Sequence, residues 1–195
     1  GGARGDEAMI VATIQHYSAH NPTIPIYIVT ADCQGNDYVE SLGYTNVSAL
    51  ECWNGPYPIE KIYREILSVR PSDVCIVGAD CIDGFYSPYI SLMMLALHDL
   101  LSKTQHVDSH LLAFSFNASP SRMMLHALKK TNRELTINLR DAISQKRYKS
   151  MVGDAGLLAD AAFSLQYDDD FEGYHKMKCW CIRQKDNGQK IIAFN

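Results

Sequence analysis

Stretches that are apolar on consecutive residues alternate along this chain with stretches of helical period, and that alternation limits the possible folds more than any other feature. Residues 24–29, 73–80 and 110–116 are short runs of mainly β-branched, aromatic or other apolar side chains, each preceded by a segment of helical spacing. A strand half exposed to water alternates apolar with polar residues; a continuous run is the pattern of a strand covered on both faces. Helices are expected over residues 6–20, 59–67, 88–102 and 120–130, the first two stopped by Asn21-Pro22 and Arg70-Pro71, the last opened by Ser119 with Pro120 at its first position. A short helix over 38–42, a short strand over 47–50, a helix over 153–165 and strands over 177–182 and 190–194 complete the reading. The expected fold is α/β: one Rossmann-like sandwich domain over residues 1–195, with a mostly parallel central sheet and helices on both faces.

Composition narrows the function classes. A chain of 195 residues that is 47% hydrophobic buries about 70% of its unfolded surface and needs no disulfide or metal staple. Its 22 acidic and 18 basic residues leave a formal charge of −4, which argues against nucleic-acid backbone binding. No run reaches the ~20 apolar residues of a bilayer span, and the first residues carry no apolar signal-peptide core. Six cysteines without C-x-x-C spacing are expected to be reduced and mostly buried thiols, which points to a cytoplasmic location.

In an open parallel sheet the ligand lies beyond the carboxyl ends of the strands, which directs attention to Asp32, Asp80, Asp83 and Asn117. Residues 74–84 form an apolar strand that ends in two carboxylates three residues apart and then Gly84. Such carboxylates suit a hard cation, Mn²⁺ or Mg²⁺, which takes one or two protein carboxylates and fills its shell with water and phosphate. Equally, Asp80 and Asp83 can cap the turn and helix that follow. Residues 168–170, a triple Asp, read as a solvated loop, and Met93, Met94, Met123 and Met124 as core. Trp53, Tyr57 and Trp180 can stack on a sugar or base, or pack internally.

Residues 21–30, running Asn-Pro-Thr-Ile-Pro-Ile-Tyr-Ile-Val-Thr, resemble the helix-to-strand passage of GT-A type glycosyltransferases, which use nucleotide-sugar donors. Residues 60–80 are similar to the lysine-bearing helix and strand that lead into the metal-binding D-x-D of that family. The resemblance implies a GT-A-like fold, Asp80 as metal ligand and Lys61 near the donor phosphates. Gly78 stands where the first Asp is expected, so either the ligands are Asp80 and Asp83 or one ligand is lost and metal dependence is reduced. Residues 114–119 resemble the turn beside the donor sugar and bring in Asn117, with Ser119 in place of glycine. Residues 151–158 resemble a helix start whose acid, here Asp154, is implied as general base or sugar contact; an N-cap is the structural alternative. Residues 173–180 are similar to a C-terminal region that implies His175 as a further metal contact and Lys178 and Trp180 as donor-binding residues, with Cys179 replacing a proline. The family's first strand has no counterpart, so the chain is expected to lack it or to be part of a larger protein.

The function implied is metal-assisted transfer of a sugar from a nucleotide-diphosphate donor to a carbohydrate or other hydroxyl acceptor, the cation neutralising the leaving diphosphate. A non-catalytic sugar-nucleotide or glycan binding domain of the same fold is the alternative. A HAD-like phosphatase ranks behind both, because its D-x-D-G signature is one residue shorter than residues 80–84.

Overall fold

The computed structural model describes residues 4–54, 59–78, 82–131, 135–166 and 172–192. The chain divides into two compact units, Gly1–Leu165 and Gln166–Asn195. In the first, α1 (Arg4–His20) leads to β1 (Ile26–Thr30), α2 (Cys33–Ser41) to β2 (Val47–Glu51), and α3 (Ile59–Ser68) to β3 (Asp73–Val77). The alternation continues through α4 (Pro88–Gln105), β4 (Asp108–Phe114), α5 (Arg122–Lys130), β5 (Thr136–Leu139), α6 (Ala142–Met151) and β6 (Gly156–Leu157). A 3-10 turn spans Ala161–Ser164, and the second unit holds α7 (Glu172–Asp186).

Every ladder is parallel: β1 pairs with β2 in one sheet, and β3-β4-β5-β6 run in that order in the other. A parallel pair needs a crossover between its strands, supplied here by α2, α4, α5 and α6. Within each sheet the strands therefore finish at one edge, and the loops that follow them collect there. The chain is thus α/β with parallel sheets, as its run-like strands imply.

Helix α3 shows how the core forms. Ile62 and Ile66, one turn apart, are buried, while Glu60, Lys61 and Arg64 face water. The two isoleucines join Cys52, Met93, Leu97, Leu101 and Val107 in one apolar cluster. A second cluster contains Leu95, Leu111, Phe114, Phe116, Met124, Leu128, Leu139 and Tyr148. Helix α4 supplies side chains to both, since residues 92–97 are apolar without interruption. Each such Leu or Met contributes about 1.5–3 kcal/mol on full burial.

Several expectations change. Strand β1 is covered on one face only, with Tyr27 43% and Val29 41% exposed; its sheet has two strands, whereas β4 has a partner on each side and is the best buried. Helix α5 starts at Arg122 behind Ser121, which makes no side-chain cap bond and whose N–H donates to the Asp83 carbonyl at 3.0 Å. Residues 153–165 form a two-residue strand and a 3-10 turn in place of a helix; Gly153 and Gly156 weaken a helix there. Residues 177–182 belong to α7, where Lys, Met, Gln and Arg favour a helix over the expected strand. Residues 190–192 are irregular, and 193–195 lie outside the described residues. The methionines divide: Met93 and Met124 are buried, Met94 is half-buried and Met123 is exposed.

Strand β4 carries a bulge. Its register with β5 slips between Leu111 and Phe114, and the buried Ala113 sits at φ 57°. That left-handed conformation costs an L-residue about 1–2 kcal/mol.

Candidate functional site

The C-terminal edge of the four-stranded sheet is built around one carboxylate. Asp83, in the loop after β3, is fully buried. Its Oδ1 accepts the Phe85 N–H at 2.9 Å, and its Oδ2 accepts both the Asn117 backbone N–H and the Asn117 Nδ2 at 2.8 Å. Two strand-end loops are thereby held on one side chain. Gly84 completes the turn at φ 72°, where a Cβ would come within 2.6 Å of Met124 Cγ and 3.2 Å of Pro88 Cα. Ser87 then caps α4 by accepting the Ile90 N–H at 3.4 Å, with Pro88 in the first turn.

Beside this clamp lie two arginines. Arg147, on α6, donates from Nη1 to the Phe116 carbonyl at 3.1 Å, one residue before Asn117. Arg140, which follows β5, faces Asp160 with Nη1 3.6 Å from Oδ2. Asp141 caps α6: its carboxylate accepts the Ser144 N–H at 2.8 Å and hydroxyl at 2.7 Å, while that hydroxyl oxygen accepts the Phe116 N–H at 3.0 Å. Burial alone would raise the Asp141 carboxyl, but the bonds from Ser144 and the Ile143 N–H, with the Arg140 charge, hold it below the usual carboxylate range. Underneath, Tyr148 packs edge-on against Phe116 with ring centroids 5.1 Å apart, and burial pushes its hydroxyl up to about 12.

A second polar network closes the edge of the two-stranded sheet. Thr30 Oγ1 donates to Asn36 Oδ1 and Asn36 Nδ2 to Glu51 Oε2, each at 2.5 Å. Glu51 Oε1 also accepts from Asn54 Nδ2 at 3.3 Å, and Asn54 Oδ1 from Lys61 Nζ at 2.8 Å. Lys61, on α3, thus has its ammonium tied to a neutral amide just after β2. Asp32 caps α2, its Oδ1 accepting the Gly35 N–H at 3.0 Å.

Of the residues singled out from sequence, only Asp83 and Asn117 are in mutual contact among those described in the first unit. Asp154 is on no helix start; it stands in the loop before β6, 87% exposed, with an oxygen 3.0 Å from Lys149 Nζ. Asp80 and Cys81 lie outside the described residues, as do Tyr57 and residues 168–170. His175, Lys178 and Trp180 are on α7 in the second unit, where the Lys178 ammonium lies 5.5 Å from the Tyr174 ring centre.

The described residues do not fit a divalent cation. Asp83 is fully buried and presents its carboxylate to three N–H donors, which take three of its roughly four acceptor positions. Position 78 is built for glycine: φ is 66°, and a Cβ would meet the Met9 sulfur at 2.1 Å. An aspartate placed in this backbone would be strained. Among the described residues no three His, Cys, Asp or Glu side chains converge as metal ligands. The described cysteines, Cys33, Cys52, Cys75, Cys179 and Cys181, are free thiols, and burial raises Cys52 and Cys75 above the usual thiol range. No helix among the described residues is long and apolar enough to cross a membrane.

An open cleft of about 380 Å³ lies at the opposite end of β1 and β2, lined by Pro22, Thr23, Tyr27, Thr45 and Ser48. It holds no convergent charged group, and the strand-end chemistry is elsewhere.

A family model described as polysaccharide pyruvyl transferase matches residues 4–192. The chain belongs to that family. It is accordingly a transferase that modifies glycans. The family's named chemistry is movement of a pyruvyl group, so the sequence resemblance to sugar transferases holds at the level of a transferase acting on glycan and no finer. Searches of curated proteins and of solved structures return no significant match.

Arg140, Arg147, Glu51 and Asn36 escaped the sequence reading. Arg147 follows Ser144 by three positions and so shares its face of α6; that spacing within an otherwise polar helix was the available signal.

Proposed function

We propose that this chain transfers the pyruvyl group of an enol phosphate, phosphoenolpyruvate, to paired hydroxyls of a polysaccharide at the C-terminal edge of β3 to β6. The observation that carries the reading is the guanidinium of Arg147 at the end of β4, beside an Asn117 immobilised by Asp83. The donor offers a carboxylate and a phosphate, and a planar guanidinium matches both better than an ammonium does.

The reaction balances without an external oxidant. A proton adds to the methylene carbon of the donor, a polysaccharide hydroxyl oxygen bonds to C2, and the C2–O bond to phosphate breaks. A second hydroxyl then bonds to C2 to give a cyclic ketal, its proton leaving with inorganic phosphate. Asp154, the general-base candidate from sequence, is exposed and paired with Lys149, but it stands ahead of β6, at the end of that strand opposite the loop that carries Asn117, and is not assigned that role.

The test measures phosphate release and the new ketal methyl signal by NMR, with polysaccharide and phosphoenolpyruvate, in separate arms containing Mn²⁺, Mg²⁺ or chelator. Arg147→Lys should retain more activity than Arg147→Met, and both should raise the donor KM. Release of nucleoside diphosphate from a UDP-sugar with no ketal formed would replace this reading with glycosyl transfer. Glycan binding with neither product would make the chain a binding domain.

A further inference from the structure

Three aromatic residues stand within six positions of Asp83 and face solvent: Phe85 is 56%, Tyr86 71% and Tyr89 58% exposed. Isolated exposed rings are ordinary on protein surfaces. Here the backbone beneath them is fixed at several points. The Phe85 N–H is bound to Asp83, Gly84 is enclosed by Met124, Ser121 and Pro88, and Ser87 caps the helix that carries Tyr89. Phe85 and Tyr86 stand edge to face with centroids 5.3 Å apart. From Gly84 to His98 the sequence contains no Asp, Glu, Lys or Arg, so the segment that carries the rings adds no charge of its own with which to select an ionic partner.

We infer that Phe85, Tyr86 and Tyr89 form a ledge on which neutral pyranose rings of the polysaccharide stack, delivering acceptor hydroxyls to the strand edge beside Asn117. The inference rests on the pyruvyl-transfer reading for its substrate. A sugar ring offers an apolar face of C–H groups to an aromatic ring and hydroxyls at its rim to Tyr86 and Tyr89, which suits amphipathic side chains held rigidly in water. Rigid mounting also removes the ordering cost that a flexible loop would incur on binding.

The experiment titrates the full chain, labelled with ¹³C in its Phe and Tyr rings, with neutral β-glucan, mannan and galactan hexasaccharides. Saturable shifts of the Phe85 and Tyr86 signals are expected with at least one of them. Phe85→Ala or Tyr86→Ala should each raise Kd roughly two- to tenfold, and the double variant more than tenfold, at unchanged melting temperature. Absence of saturable binding by the wild type, or an unchanged Kd in the double variant, overturns the ledge. Sedimentation that shows a dimer broken by the double variant also overturns it, because the occupant is then a second copy of the chain. Should the rings bind glycan while no ketal forms, the ledge stands and the pyruvyl reading falls; should ketal form with an unchanged acceptor KM in the double variant, the reverse holds.

Discussion

Replacing Asp83 by alanine separates a structural carboxylate from a ligand-binding one. The side chain is fully buried and accepts three hydrogen bonds, two of them from Asn117. Bonds to a charged acceptor contribute about 1.5–3 kcal/mol each. Simple addition overstates the loss, since the variant no longer buries a charge and water can reach the Phe85 N–H beside its exposed ring. The two Asn117 donors sit on a half-buried residue, and stranding them costs up to about 1–3 kcal/mol apiece. A net destabilisation of about 3–5 kcal/mol follows, or roughly a 6–20 °C fall in Tm for a chain of this size. Urea and thermal unfolding of Asp83→Ala measure it. Asp83→Asn should fall between, because one amide oxygen can still serve the two Asn117 donors while its nitrogen meets the Phe85 N–H. A change below about 1 kcal/mol, or a gain in stability, refutes the clamp and returns Asp83 to the list of carboxylates available to a ligand.

Gly84→Ala should cost about 2–4 kcal/mol, combining a left-handed backbone with a Cβ 2.6 Å from Met124 Cγ; urea unfolding reads it directly. His98 is buried on α4, its Nδ1 lacking a hydrogen-bond partner among the described residues, and burial, with His110 adding to it, lowers its pKa to about 4. The unfolded chain binds that proton below about 6.5 and the folded chain does not, so stability should decline as pH falls from 6.5 towards 4, by up to about 3 kcal/mol. His98→Leu should remove this component of the pH dependence, and parallel denaturation curves for the two proteins would leave the burial argument without support. Asp154→Asn should leave stability within about 0.5 kcal/mol, as for other exposed ion pairs, and the transfer rate within about twofold, because Asp154 stands ahead of β6 and away from the strand-end loops. A roughly 100-fold loss of rate would bring Asp154 into the chemistry and move the site from the C-terminal strand edge.

The elements that sequence made legible are those whose apolar pattern is set by their immediate neighbours. Residues 74–77 and 111–114 run apolar because β3 and β4 lie side by side under helices, and α3 declares itself through Ile62 and Ile66. What escaped depended on long-range partners. Nothing near Ser121 predicts that its N–H donates to Asp83, 38 positions earlier. Asp83 and Asn117 were visible as strand-end residues, yet their 2.8 Å contact is set by how two loops meet. The resemblance of residues 151–158 to a family motif places Asp154 at a helix start; Gly153 and Gly156, on either side of it, disfavour a helix, and the chain enters β6 there. Family identity came from the whole-length pattern of residues 4–192 and not from any single motif.

The irregularity at Ala113 sets the parity of everything downstream of it. Ahead of it the buried positions of β4 are odd-numbered, Ser109 and Leu111; beyond it Phe114 and Phe116 are buried and even-numbered, and Leu111, Phe114 and Phe116 all enter one core. One extra residue thus switches the count by half a repeat, and Asn117 inherits its direction from that switch. Straightening the bulge with every residue retained would turn Phe116 towards solvent and Asn117 away from Asp83, whereas deleting one residue at 112 or 113 would regularise the ladder and leave Phe114 and Phe116 in phase with Leu111, still facing inward. The strained backbone therefore acts as a frame marker: it fixes which members of the strand-end loop look inward, and the loop cannot be re-aimed by shortening the strand.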